Sequence, residues 1–348
     1  MPVGFPTKVN YATGDVLSAT NMNDLSGTVN LLESAQYAAG KNNVINGDFG
    51  IWQRGTSITA TSGQYTYGPD RFAVYGYGVG TGTVTQQTFT PGTAPVAGYE
   101  GQFFARFKST NTNLRVQQLI EDVRTFAGQT ATVSFWMKSP TATSADVFYA
   151  QNFGSGGSAT VDIAGSTITI SSSWARYTHT VAIPSVAGKT IGTSSYLALR
   201  FGAALNVDID IWGVQFEEGS TASPFQTATG TKQGELAACQ RYYYRNTAPG
   251  TYAQLGGSGP ASTTSIIYMA YNAPVPLRVT PSSVDYGGDL RAYDGVNYIT
   301  VTSVATSGGI NNNPTLQVNS AAGFTTLRPY FLSAQATGNA YIGFSAEL

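Results

Sequence analysis

One histidine, His179, and one cysteine, Cys239, stand in a chain of 348 residues. A Ser-His-Asp triad, a multi-histidine zinc site and a histidine acid/base pair therefore have almost no material, and no internal disulfide can form. His179 shares a strand face with Tyr177 and Val181, which predicts a packed, structural histidine. Carboxylates occur as near neighbours: Glu121 with Asp122, Asp208 with Asp210, Glu217 with Glu218. Glycoside hydrolysis needs two carboxyls facing each other across a cleft, whereas adjacent acids on a strand point apart. Solvated acids are the expectation for all three pairs. Asp208 and Asp210 share one face and could serve a calcium ion, but calcium takes roughly six to eight oxygens and the others are not identifiable. The glycines from Gly76 to Gly82 lack the spacing of a dinucleotide fingerprint. No catalytic residue, metal ligand or cofactor is expected, and no hydrolytic activity.

The constellation with the most chemistry is aromatic. Trp52, Tyr65, Tyr67, Tyr75 and Tyr77 fall within one short stretch that also holds Phe72. Flat rings stack on the apolar faces of sugars, and neutral Asn, Gln, Ser and Thr hydrogen-bond the hydroxyls. These five are the candidate ligand-binding residues. A sandwich core uses the same rings, so packing is the alternative for each.

Charged residues make up only 11% of the chain and the formal net charge is -1. That excludes the clustered basic surface needed to grip nucleic acid or an anionic membrane. No run approaches the ~20 apolar residues of a membrane helix, and the start Met-Pro-Val-Gly-Phe-Pro has no basic or apolar leader pattern. Synthesis in the cytoplasm without Sec-type export is expected. Forty glycines and fifteen prolines among Ser, Thr, Val, Ile and Tyr predict an all-β protein of short strands and tight turns.

Along the chain, Met22, Leu25, Val29 and Leu32 are spaced as the seam of a coiled coil. Residues 1 to 40 are thus a short helical segment, docked on its own domain or associating with copies of itself. Residues 41 to 228 read as strand and turn, with the clearest strands at Thr130–Met137, Trp174–Ile183, Tyr196–Phe201 and Val207–Phe216. About nine strands fit a two-sheet jelly-roll sandwich. In the last strand, Ile209 and Ile211 are expected on one face and Trp212, Val214 and Phe216 on the other, with a bulge at Gly213. Residues 229 to 348 form a second, C-terminal β-domain, opened by helical spacing at Leu236, Cys239 and Tyr243.

The stretch from Asn42 to Ser57, with Asn-Gly-Asp-Phe-Gly-Ile-Trp-Gln-Arg-Gly at its centre, and Tyr-Gly-Pro-Asp-Arg-Phe (Tyr67 to Phe72) resemble the opening of a carbohydrate-binding-module-like domain of bacteriophage and prophage tail proteins. Trp212 to Phe225 resembles its closing strand. Glu235 to Arg245, Pro274 to Pro281 and the ending Gly-Phe-Ser-Ala-Glu-Leu are similar to the C-terminal domain that commonly follows. Phe72 stands where the family often has Trp, and Leu277 where it has Met, swaps that keep burial. The resemblance implies a virion component: a tail fibre or appendage, usually a trimer, attached to other virion proteins through residues 1 to 40 and contacting a host-surface glycan. A neck, collar or head decoration without receptor role is the alternative; a polysaccharide depolymerase is a third reading. The recurring residues look like frame residues, so the resemblance carries over no binding site.

Overall fold

The computed structural model describes residues 40–60, 63–76, 82–110, 114–141, 143–202, 207–281, 283–311, 313–336 and 338–348. The seam Met22, Leu25, Val29 and Leu32 lies outside the described residues, as does Tyr77.

The chain is mostly β. The first unit contains β1 (Ser57–Thr59), β2 (Tyr65–Tyr67), β3 (Phe72–Gly76), β4 (Gly82–Thr88), β5 (Phe103–Ser109) and β6 (Leu114–Ile120). It continues through β7 (Thr130–Lys138), β8 (Thr143–Asn152), β9 (Val161–Ile170), β10 (Ala175–Ala182), β11 (Tyr196–Gly202) and β12 (Asp208–Glu218). These strands form two six-stranded antiparallel sheets, ordered β1-β4-β5-β12-β7-β10 and β2-β3-β6-β11-β8-β9. Several strands are only three to five residues long, which is why twelve rather than about nine appear. Phe72, Val74, Phe107, Phe135, Tyr149, Leu199, Phe201, Ile211 and Phe216 close the core between the sheets.

One helix is described, α1 (Lys232–Gln240), whose N-cap Thr231 accepts from the Gly234 N–H at 3.0 Å. Of the residues read as helical in spacing, Cys239 is buried and Leu236 is 40% exposed, whereas Tyr243 lies past the end of the helix and begins the next strand. The C-terminal domain follows as β13 (Tyr243–Thr247), β14 (Gln254–Pro260), β15 (Ile266–Ala270), β16 (Ser283–Gly287) and β17 (Leu290–Tyr293). Then come β18 (Tyr298–Thr300), β19 (Ser303–Ile310), β20 (Asn313–Asn319), β21 (Pro329–Ala334) and β22 (Tyr341–Ser345). Seven of these strands make a half-barrel, ordered β18-β17-β21-β14-β15-β20-β19, beside the three-stranded sheet β13-β22-β16. Its core holds Leu255, Ile267, Met269, Leu277, Leu316, Leu332, Ile342 and Phe344.

Two expectations need correction. Gly213 does mark a bulge: its φ is +64° and the register of β12 against β7 shifts between Trp212 and Gln215. The extra residue restores the phase, so Ile209, Ile211, Val214 and Phe216 all face the main core. Trp212 alone turns outward, into a second aromatic cluster with Phe89, Phe104, Trp136 and Phe225. Two of the acids are also less solvated than expected, while Glu121 and Glu218 are exposed. Asp210, 1% exposed, is held by the Arg106 guanidinium at 2.6 and 2.9 Å and by Lys138 at 3.7 Å. Glu217 is fully buried and accepts from the Ser223 N–H and hydroxyl and from Gln215, with Lys41 at 3.2 Å. Burial alone would raise its carboxyl, but these donors hold it below the ordinary range.

The Asn-Gly motif is a clip between β12 and the sandwich entrance. The Asn42 amide donates to the Val214 and Gln226 carbonyls at 3.1 and 2.9 Å, and its oxygen accepts from the Val44 and Phe216 N–H groups. Asn46 sits at φ +60°, a conformation that asparagine tolerates better than most residues. Gly47 follows because a Cβ there would lie 2.1 Å from the Val214 carbonyl oxygen. Gly47→Ala is therefore expected to cost about 2 kcal/mol of stability through forced backbone displacement. Urea unfolding checks this, and an unchanged midpoint would remove the clip from the account.

Candidate functional site

Strand register assembles a surface that no single segment encodes. On the outer face of the second sheet, one cross-strand row runs Tyr65, Tyr75, Arg115, Gly202, Asp146, Thr167. The next row runs Tyr67, Ala73, Gln117, Arg200, Phe148. A third follows with Leu119, Ala198, Ala150 and Asp162. The period of two along each strand sends these side chains outward while Val74, Val116, Leu199, Phe201 and Val147 face the core. Small residues alternate with large ones, and the face is hollowed. A depression of 440 Å³ is lined by Tyr65, Arg115, Phe148, Asp162, Tyr196 and Arg200 among others. A neighbouring one of 430 Å³ shares Arg115 and Phe148 and adds Asp146, Gly165, Thr167 and Gly202.

The polar floor of this groove is ordered. Arg200, only 8% exposed, donates through Nε to the Gln117 side-chain oxygen at 3.2 Å and through its Nη1 to Asp162 at 3.2 Å. The Arg115 and Arg200 guanidinium carbons lie 4.8 and 5.9 Å from the Phe148 ring centre. Both distances are within cation–π range. Tyr65 and Tyr75 pack ring to ring at 4.9 Å on the rim, with Tyr65 39% exposed.

Of the aromatic residues singled out from the sequence, Tyr65 and Tyr75 therefore stand together at the groove. Trp52 packs against the main core, and its indole N–H donates to the Phe49 carbonyl at 2.7 Å. Tyr67 is held in the contact between sandwich and C-terminal domain, where its hydroxyl donates to the Leu348 carbonyl at 3.2 Å. Phe148, Arg115, Arg200, Gln117 and Tyr196 were not candidates. Their outward positions in β6, β8 and β11 carry a signal only once those strands are known to be neighbours. Among the described residues no group of three or more His, Cys, Asp or Glu could hold a metal ion. Asp208 and Asp210 face Arg106, Lys108 and Lys138, so lysine and arginine groups occupy the positions a calcium ion would need.

The frame residues meet at the contact between the two units. Arg71, 1% exposed and at φ +70°, pairs with Glu347, donates to the Leu119 carbonyl at 2.5 Å and stacks over the Tyr242 ring at 3.5 Å. Arg54 lies 3.4 Å over the Tyr243 ring and reaches Glu347 at 3.3 Å. The Gln53 amide donates to Asp70 and, at 2.7 Å, to the Tyr243 carbonyl. Glu235 of α1 accepts from the Asn46 N–H at 2.7 Å. Leu348 then rests on Leu119, Ala150 and Ala198, covering the third row of the outer face up to Asp162.

No family model matches the chain, and no curated protein matches it. Among solved structures, a sugar-binding protein from Bacteroides thetaiotaomicron, itself described as putative, is similar at 11% identity over 51% of this chain and 100% of that one, with a TM-score of 0.36. Tailspike protein 4 of bacteriophage CBA120 is similar at 15% identity over 51% of this chain, at a TM-score of 0.33; the match spans 22% of that chain. A family 11 carbohydrate-binding module from Clostridium thermocellum, solved with a β-1,3-1,4-mixed-linked tetrasaccharide, is similar at 12% identity over 49% of this chain and 98% of that one, at a TM-score of 0.30. These likenesses concern β-sandwich architecture alone.

Burial pushes the Asp70 carboxyl up to about 6 from 3.8, with Gln53 and Arg54 acting against the rise. Below 3.8 the group is neutral in folded and unfolded chains alike. Between 3.8 and about 6 only the unfolded chain ionises, so stability from this group falls as pH rises, by about 3 kcal/mol in all. Asp70→Asn should therefore gain stability relative to the parent chain by about that amount between pH 4 and pH 7. Parallel urea titrations of both proteins give the difference; a constant offset across that range would contradict the burial of an ionising Asp70.

Proposed function

We propose that the chain is a saccharide-binding, non-enzymatic virion component of a bacteriophage, a tail fibre or appendage that contacts the host surface through the outer face of the second sandwich sheet. The single observation that carries the binding reading is the register-built groove, with Tyr65, Tyr75 and Phe148 beside Arg115 and Arg200, the latter held from beneath by Gln117. Rings offer stacking surface, and fixed guanidinium donors meet hydroxyls at an angle the sheet dictates. The virion reading is supported by the motif resemblance between Asn42 and Leu348. In it, residues 1 to 40 attach the chain to other virion proteins, and the seam Met22, Leu25, Val29 and Leu32 joins three copies. The weak chemistry of sugar contacts fits such an assembly. About 4 to 5 kcal/mol per site corresponds to millimolar binding singly, which several copies on one particle convert into attachment.

The test is affinity electrophoresis of the full chain against a panel of bacterial surface polysaccharides, with Phe148→Ala and Gly202→Gln as variants. Gly202 has no positive φ, and a Cβ there meets only ordinary contacts 3.4 Å or more away, so the added side chain intrudes on the groove and leaves the sheet intact. Retardation by at least one polysaccharide, reduced about tenfold or more in both variants, is expected. Equal retardation of parent and variants would move the site elsewhere, and none across the panel would favour a purely structural decoration protein.

A further inference from the structure

The floor of the groove carries a chemical preference that neutral sugars do not use. Two guanidinium groups, Arg115 and Arg200, flank the one Phe148 ring from adjacent cross-strand rows. Arg200 is 8% exposed, and its carboxylate partner Asp162 is 84% exposed at the side chain. A carboxylate that wet is screened and holds its partner weakly. A buried cation is therefore paired with an acid at the rim and not at the floor. The other acid at the groove, Asp146, accepts from the Thr167 hydroxyl at 2.6 Å. It stands in the row of Arg115, on the far side of Gly202.

Beside Arg200 lies Gln117, 2% exposed, whose side-chain oxygen is occupied by the Arg200 Nε–H. That bond fixes the orientation of the amide and, through it, holds the Arg200 guanidinium in place. The Gln117 Nε2 atom is buried and has no hydrogen-bond partner among the described residues. Arg115 and Arg200 thus present guanidinium donors from neighbouring strands to one depression. A guanidinium matches a planar carboxylate through two parallel hydrogen bonds, which an alcohol cannot reproduce.

We infer that the groove selects acidic saccharides and seats a sugar carboxylate, as in a uronic acid, on Arg200 with Arg115 close by. The inference rests on the saccharide reading of this face and deepens it. Tyr65 and Tyr75 on the rim supply stacking for the neighbouring sugar. Asp162 acts at the mouth as a displaceable placeholder that keeps Arg200 extended along the floor.

The experiment compares one uronic-acid oligosaccharide with the same chain after its carboxyl groups are reduced to alcohols, by calorimetry on the full chain. The parent protein should bind the acidic form at least tenfold more tightly at low salt, with the margin shrinking as salt is raised. Arg200→Gln should bring the two affinities within about twofold of each other. Should that variant fold poorly, Arg115→Gln reads the same ratio with less disturbance to the floor. Equal affinity of the parent for both forms would overturn acid selection and leave the groove as a neutral-sugar site, whereas absence of binding to either form removes both readings.

Discussion

The arrangement depends on one buried ion pair. Arg71 emerges from a left-handed backbone position just ahead of β3, and its guanidinium is almost fully removed from water. A charge buried without a partner is costly by several kcal/mol, and removing one member of such a pair typically costs about 3–5 kcal/mol. Glu347 supplies the compensating charge from the far end of the sequence, while the Tyr242 ring stacks on the guanidinium and the Leu119 carbonyl accepts from its Nη2. Sandwich and C-terminal domain are thereby committed to one another. The motif Tyr-Gly-Pro-Asp-Arg-Phe is intelligible on these terms: Asp70 holds Gln53, Arg71 holds Glu347, and Phe72 enters the core.

That commitment reaches the groove. Leu348 follows directly on Glu347 and packs on Leu119, Ala150 and Ala198, so the C-terminal segment closes the third row up to Asp162, which stays exposed. The part of the face left hollow is lined by Tyr65, Arg115, Phe148 and Arg200, while Tyr67 of the second row lies under Leu348. Arg278 adds to the same fastening, donating to the Ala346 and Glu347 carbonyls at 2.8 Å and to the Ser194 hydroxyl at 3.3 Å. Extent of the open surface is therefore a property of both β-domains, although every residue of its floor comes from the sandwich.

Much of the fold is legible in the sequence because strand signals are local. β-branched and aromatic runs bounded by Gly, Ser or Pro locate β7, β10, β11 and β12, and Gly213 announces its bulge. What the bulge does to the strand after it is not local. A left-handed glycine adds one residue to β12 but none to β7, and only the pairing reveals that Val214 and Phe216 rejoin Ile211 in the core. Asp210 and Glu217 fail as solvated residues for a related reason: Arg106 and Lys138 reach Asp210 from neighbouring strands, and Ser223 reaches Glu217 from a loop. Among the candidate rings, one stretch of sequence divides between groove rim, core and inter-domain contact, because Tyr65 and Tyr75 are cross-strand partners whereas Tyr67 lies against Leu348. Gln117, Phe148 and Arg200 belong to three strands separated by dozens of residues. Nothing short of the register brings them together.

The central claim is that the outer face of the second sheet receives the saccharide. Ring-selective carbon-13 NMR of the full chain, titrated with a polysaccharide it retains, tests it most directly. The account predicts shift changes concentrated in Phe148, Tyr65, Tyr75 and Tyr196, with the core rings of Phe72, Phe135 and Phe201 still. Changes confined to the C-terminal rings Tyr252, Tyr293 and Tyr298, with Phe148 unmoved at saturation, would contradict it.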